Sequence, residues 1–269
     1  MTEVNIQKYT IILKTYKNDL KYIKFNLLSL IKYLDFSNIH EIILYVHDIV
    51  NNELLTIVKE INLDEYILFR IIPVHYDYHG YLKQMEVKCL CYKDCNTDYI
   101  VILDSDLLLT QNLNFNSLLF DGKIKWYYGD NKVISKEHKV WNTAIENSTL
   151  CKQYYHYLTN GYPFIFTKHS LLKANEHFKE LHKCDYPDYI KKRCNENCIS
   201  IGEDIGSSFF KLVKVFTEYE YLGWWCHNYS DDFLFLQDES NIRGTKYFIQ
   251  HWSHGGITDD YLLQVKNHT

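Results

Sequence analysis

Across roughly the first 110 residues, short apolar runs alternate with segments whose apolar residues recur at helical spacing, and this alternation restricts the fold more than any other feature. Residues 9–16 read as a strand. Residues 19–34 carry Leu20, Ile23, Leu27, Ile31 and Leu34 at helical spacing behind Asn18 or Asp19 as a cap. The same reading gives strands at 41–46 and 66–72, helices at 51–61 and 81–93, and a strand opening at Tyr99. Strands interleaved with helices imply right-handed crossovers and a mostly parallel central sheet, an α/β fold. The second half is more irregular, with a turn at Asn160 and Gly161, a helix over 170–182, a short helix after Glu203, and strands at 214–216 and 247–250.

The strand at Tyr99 continues through Ile100, Val101, Ile102 and Leu103 and then breaks into Asp104, Ser105 and Asp106, the one D-x-D triplet in the chain. Five bulky residues in succession suit a strand buried on both faces, so the two carboxylates fall at its C-terminal end. In open α/β sheets that edge binds ligands, and paired carboxylates there can hold a divalent cation with a phosphorylated substrate. Two solvated aspartates closing a strand are the other reading, because a three-residue motif is weak without context.

Composition removes several alternatives. The formal net charge is −5 and the longest basic run is Lys191, Lys192, Arg193, which offers no footprint for nucleic acid or an anionic membrane. Only three of the 29 Lys and Arg residues are Arg, so a bound diphosphate would rely on Lys, metal and backbone. The first residues lack the pattern of an export signal and no apolar stretch reaches spanning length, so a soluble, cytoplasmic protein with its eight Cys as free thiols is expected. His182, Cys184, Cys194 and Cys198 could supply four zinc ligands, although their spacing matches no common structural site. No linker or repeat divides the chain, which reads as a single domain, 1–269, with functional halves at 1–110 and 111–269.

The alternating first half, the strand-terminal DSD and the late strand running into His251 together resemble the metal-dependent nucleotide-sugar glycosyltransferases of the GT-A fold, bacterial or viral. The resemblance implies a Rossmann-like three-layer sandwich with an irregular acceptor-side C-terminal half, and transfer of a sugar from a UDP-sugar to an acceptor hydroxyl. It implies Mn²⁺ or Mg²⁺ as cofactor, with Asp106 as a direct ligand, Asp104 on the metal or the ribose, and His251 as the distant ligand, His254 being the alternative. Ser105 between the carboxylates joins the donor-binding set, and Gly255 and Gly256 would let backbone approach a phosphate. Thr15, Tyr16 and Asp19 fall where such enzymes hold the nucleobase; Asp19 as a helix cap and Thr15 as an ordinary strand residue is the other reading.

The helix after Gly80 has a core face of Leu82, Met85, Cys89 and Tyr92 and a second face of Tyr81, Gln84 and Lys88. That second face resembles a G-aromatic-x-x-Q-x-x-x-K pattern preceding the D-x-D strand, which would bring Gln84 and Lys88 to the donor; a solvated helix face competes with it. In IGEDIG, Asp204 with Glu203 beside it resembles the acceptor base of inverting members, while a retaining outcome would need no such base. Equally, both acids could simply favour a helix N-terminus. Glu218, Glu220, Trp224 and Trp225 read either as a sugar-binding wall or as packing, with Asn160 near an acceptor entrance. The implied partners are the nucleotide-sugar donor and a glycan, protein or small-molecule hydroxyl acceptor; a homo-oligomer is left open. Two rival functions are a sugar nucleotidyltransferase, whose glycine-rich phosphate loop ILKTYKNDL lacks, and a noncatalytic carbohydrate-binding protein of the same fold.

Overall fold

A computed structural model describes residues 7–15, 19–47, 51–130, 139–152, 154–157, 163–200, 211–237, 247–250 and 259–269. In chain order the first half comprises β1 (Tyr9–Thr15), α1 (Leu20–Tyr33), β2 (Ile39–His47), α2 (Asn51–Glu60), β3 (Phe69–Val74), α3 (Gly80–Leu90), β4 (Tyr99–Asp104) and β5 (Leu107–Leu109). There follow β6 (Leu119–Phe120), β7 (Lys123–Asp130), α4 (Lys139–Thr149), β8 (Tyr155–His156), β9 (Phe164–Thr167), α5 (Lys168–His182), α6 (Tyr186–Glu196), α7 (Glu218–Tyr229), β10 (Phe233–Gln237), β11 (Phe248–Gln250) and α8 (Asp259–His268).

The main sheet has the order β3-β2-β1-β4-β9. The first four strands are parallel and β9 closes the sheet antiparallel to β4. All seven residues of β1 are buried, the polar Thr10, Lys14 and Thr15 included, as befits a central strand with β2 on one side and β4 on the other. Strand order runs one way from β1 to β2 and β3 and the other way to β4. The crevice between the C-terminal ends of β1 and β4 is therefore the topological switch point, where open α/β sheets bind ligands.

Helix α1 buries Leu20, Ile23 and Leu27 of the face predicted from its spacing, and Leu34 just beyond it, but Ile31 is only half-buried and Leu30 is buried in its place; two polar residues, Asn26 and Ser29, are buried as well. A second sheet, β10-β7-β6, carries Trp126 among Phe164, Phe166, Phe233 and Phe235. It gives the second half a core of aromatic rings where aliphatic residues are few.

The sequence reading needs three adjustments. The third strand starts at Phe69 because Tyr66 closes a tight turn, its N–H donating to the Leu63 carbonyl at 3.1 Å. The third helix ends at Leu90 and passes into a 3₁₀ turn over Cys91–Lys93. The expected strand at 214–216 is a turn, with the N–H groups of Lys214 and Val215 bonded to the Lys211 and Leu212 carbonyls. Its apolar residues Val215 and Phe216 reach the core without a strand partner. The expected short helix after Glu203 lies outside the described residues. All eight cysteines are free, as compositional reasoning expected.

Candidate functional site

Residues Lys14 and Asp104 stand opposite each other in the β1–β4 register, so both project from the same end of the sheet at the switch point. Immediately beyond, the chain turns through Ser105 and Asp106 into β5. Helix α1 fixes that turn. Asn26, fully buried, donates its amide to the Leu107 carbonyl at 2.7 Å and more distantly to the Asp104 carbonyl at 3.3 Å, while the Leu109 N–H donates to Ser29 Oγ at 3.0 Å. Side chains in place of backbone partners satisfy these backbone groups on either side of the turn, and the backbone that carries the two carboxylates is thereby tied to a helix.

Asp104 is engaged by α3. Lys88 Nζ lies 2.5 Å from its Oδ1 and 2.7 Å from Oε1 of Glu218, in the first turn of α7. Gln84 Nε2 reaches the same Asp104 oxygen at 3.5 Å. The Lys88 side chain is 2 % exposed, and its ammonium also lies 4.6 Å from the centre of the Tyr219 ring. Burial alone would favour the neutral amine, but the Asp104 and Glu218 carboxylates outweigh it and hold Lys88 well above its ordinary range. The solvated-face reading of this helix is thus corrected for Lys88, whose long side chain runs into the protein.

Around β1, Lys14 is 1 % exposed and donates to the Thr15 carbonyl at 2.6 Å and to Tyr76 Oη at 2.5 Å. Burial pulls its pKa down to about 7, aided by Lys88 and Lys83 and opposed by Asp19. Asp19 sits at the N-cap position of α1 but makes no side-chain capping bond. Its Oδ2 instead accepts from Ser105 Oγ at 3.5 Å, joining the β1–α1 connection to the DSD turn. Thr15 is fully buried and its Oγ1 has no hydrogen-bond partner among the described residues.

Seven residues singled out from sequence therefore gather at one sheet end: Thr15, Asp19, Gln84, Lys88, Asp104, Ser105 and Asp106. The late strand also converges on it. Strand β11 pairs antiparallel with β5 so that Gln250, the residue before His251 in the chain, stands opposite Leu107, the residue after Asp106. His251, His254, Gly255, Gly256, Glu203, Asp204, Tyr16, Asn160 and Gly161 lie outside the described residues.

For other residues the structure favours one of the readings left open by the sequence. Glu218 and Glu220 are 3 % and 1 % exposed, and Trp224 and Trp225 are also buried, so they form a packed interior and not an open sugar-binding wall. Glu220 pairs with His156 and accepts the Tyr157 N–H at 2.9 Å. His182, Cys184, Cys194 and Cys198 do not make a zinc site. The His182 Nε2 is bonded to the Ser148 carbonyl at 2.8 Å, Cys194 is buried and Cys198 exposed.

Among the described residues no three His, Cys, Asp or Glu side chains cluster as a metal site. The DSD pair nonetheless fits a divalent ion of the Mg²⁺ or Mn²⁺ kind. Such ions need only one or two carboxylates when substrate phosphates complete their shell, and the Asp104 side chain remains 22 % exposed with Lys88 and Gln84 confined to one of its oxygens. Sequence reasoning missed Lys14, Tyr76 and Asn26, and missed Glu218 as the partner of Lys88. Asn26 had left a signal, a polar residue on the apolar face of α1 between Ile23 and Leu30.

Solved structures similar to part of this chain include the bifunctional glycosyltransferase WbbM in its apo form, at 12 % identity and a TM-score of 0.36 over 55 % of this chain and 26 % of that one. TarS 1–349 of S. aureus in complex with UDP-GlcNAc is 21 % identical, with a TM-score of 0.31 over 38 % and 28 %. The glycosyltransferase GlyE of Streptococcus pneumoniae TIGR4 is 14 % identical, with a TM-score of 0.43 over 86 % and 45 %. The chain thus spans less than half the length of each, and the likenesses are too loose to bear on function. No curated protein matches the sequence. Residues 3–251, which take in β1, the DSD turn and β11, match the model of the "Family of unknown function (DUF6492)", and the chain belongs to that family.

Proposed function

We propose that the protein is a glycosyltransferase that moves a sugar from a nucleoside diphosphate donor, a UDP-sugar, to an acceptor hydroxyl. The observation that carries this reading is the D-x-D pair at the C-terminal end of β4, set at the switch point beside β1 and oriented by α1 and α3. Thr15, Tyr16 and Asp19 would hold the nucleobase and Asp104 the ribose or the metal; the Thr15 hydroxyl, without a hydrogen-bond partner among the described residues, supports this reading. Asp106 would hold Mn²⁺ or Mg²⁺ with Asp104 beside it, and the approach of β11 to β5 supports His251 as the further ligand. A divalent ion there supplies positive charge that offsets the charge developing on the departing diphosphate.

What the chain itself contributes is orientation. Lys88 and Gln84 hold Asp104, Ser105 ties the turn to Asp19, and Asn26 holds the turn's carbonyls, so the carboxylates need not reorganise when the donor arrives. Asp204, with Glu203, is proposed to take the proton of the acceptor hydroxyl, and the second half of the chain to bind the acceptor.

The test is to incubate the protein with Mn²⁺ and a panel of nucleotide sugars, with and without acceptors, and to measure release of the nucleoside diphosphate. Release from at least one donor is expected. Asp106→Asn should stay folded and lose metal-dependent donor binding. Absence of binding and release for every donor would end the proposal, and unchanged manganese dependence in Asp106→Asn would remove that residue from the site.

A further inference from the structure

We infer that Glu218 is a positioning residue of the donor site, which acts through Lys88 to keep one oxygen of the Asp104 carboxylate free for the ligand. The inference rests on the reading of the DSD turn as the donor site and goes beyond it, because Glu218 lies on α7, in the half of the chain assigned to the acceptor.

The geometry is specific. Lys88 and Gln84 both address Asp104 Oδ1, at 2.5 and 3.5 Å, and 22 % of the Asp104 side chain stays exposed. A lysine ammonium has three N–H donors. In this site its neighbours are Asp104, Glu218 at 2.7 Å and the face of the Tyr219 ring at 4.6 Å, which leaves no donor for a ligand. The Tyr219 ring is itself stacked on Phe164 at 3.7 Å, and Phe164 pairs with Ile102 across the β4–β9 register. The ammonium is therefore held from three sides by groups anchored in the sheet and in α7. Lys88 thus acts on the carboxylate and not on the donor.

Removing the Glu218 charge would transfer the whole attraction of Lys88 to Asp104. The undivided ammonium could then engage both oxygens of the carboxylate, and neither would stay free for a ligand. A carboxylate that is shared between Lys88 and a ligand binds the ligand less well, and the loss should appear in donor affinity.

The experiment measures binding of UDP with Mn²⁺ by titration calorimetry to the full chain, comparing wild type, Glu218→Gln, Asp104→Asn and the double variant, each shown to be folded by circular dichroism. The expected result is at least a tenfold weaker affinity in Glu218→Gln, with little further loss when that change is added to Asp104→Asn, because one residue acts through the other. Glu218→Asp, which keeps the charge but withdraws it by one methylene, should bind with intermediate affinity, and it carries the test if Glu218→Gln does not fold. Wild-type binding that is unchanged in Glu218→Gln, or losses that simply add, would overturn the positioning role while leaving the donor site standing. If wild type binds neither UDP nor any other nucleoside diphosphate with Mn²⁺, the donor-site reading and this inference fall together.

Discussion

Replacing Lys88 by methionine isolates the energetics of the ion triad. The substitution keeps most of the apolar stem and removes the ammonium from between Asp104 and Glu218. Asp104, with 22 % of its side chain exposed, can recover hydration. Glu218, at 4 %, cannot, and is left as a buried carboxylate without its cation. Breaking a buried pair in this way costs about 3–5 kcal/mol. That loss is a large share of the roughly 5–15 kcal/mol by which a folded domain is stable. Adding Glu218→Gln removes the stranded charge, so the double variant should recover about 1–3 kcal/mol relative to the sum of the two single losses.

Urea unfolding followed by circular dichroism, with slopes compared to exclude a change in the unfolded state, measures all four proteins. A cost below about 1 kcal/mol for Lys88→Met, or strict additivity in the double variant, would refute the argument that these charges hold α3, β4 and α7 together.

Three further outcomes follow from the structure. Gly223→Ala in α7 should lower the thermal midpoint: the new methyl would overlap Tyr157 Cβ and lie 2.6 Å from its Cγ and 3.1 Å from Trp126 Cζ2, an overpacking cost of about 1–3 kcal/mol that exceeds the roughly 1 kcal/mol gained in helix propensity. Lys14 has its pKa lowered to about 7, so at this residue the unfolded chain binds more protons above that value; the Lys14 contribution to stability should rise between pH 7 and its ordinary 10.5, by up to about 5 kcal/mol. In Lys14→Met that rise disappears, and its stability relative to wild type falls as pH increases, as read by urea unfolding across the range. Asn26→Leu leaves the buried Leu107 carbonyl without its 2.7 Å donor and should cost about 1–3 kcal/mol, together with weaker binding of Mn²⁺ at the DSD turn by calorimetry.

The alternation of strands and helices was legible in the sequence because each buried strand is built on a largely apolar run and each helix on an apolar stripe, and both are local patterns. The DSD pair was legible for the same reason, since a strand that stops at two carboxylates marks its own end. Errors arose where a short apolar run could be satisfied in more than one way. Val215 and Phe216 are buried as firmly as strand residues, yet they hang from a turn. Burial is what an apolar residue encodes, and hydrogen-bond partners are what it leaves unspecified.

The chemistry divides along the same line. Sequence alone determined that two carboxylates close a central strand and that Gln84 and Lys88 share a helix face leading to it. It could not determine that Lys88 is paired with Glu218, 130 residues further on, or that Asp19 forgoes its helix cap for Ser105. Charges on separate elements carry no record of their distance in a linear pattern. Only the packing of α3 and α7 against β4 turns a lysine that could have been a solvated surface residue into the buried cation that orients Asp104.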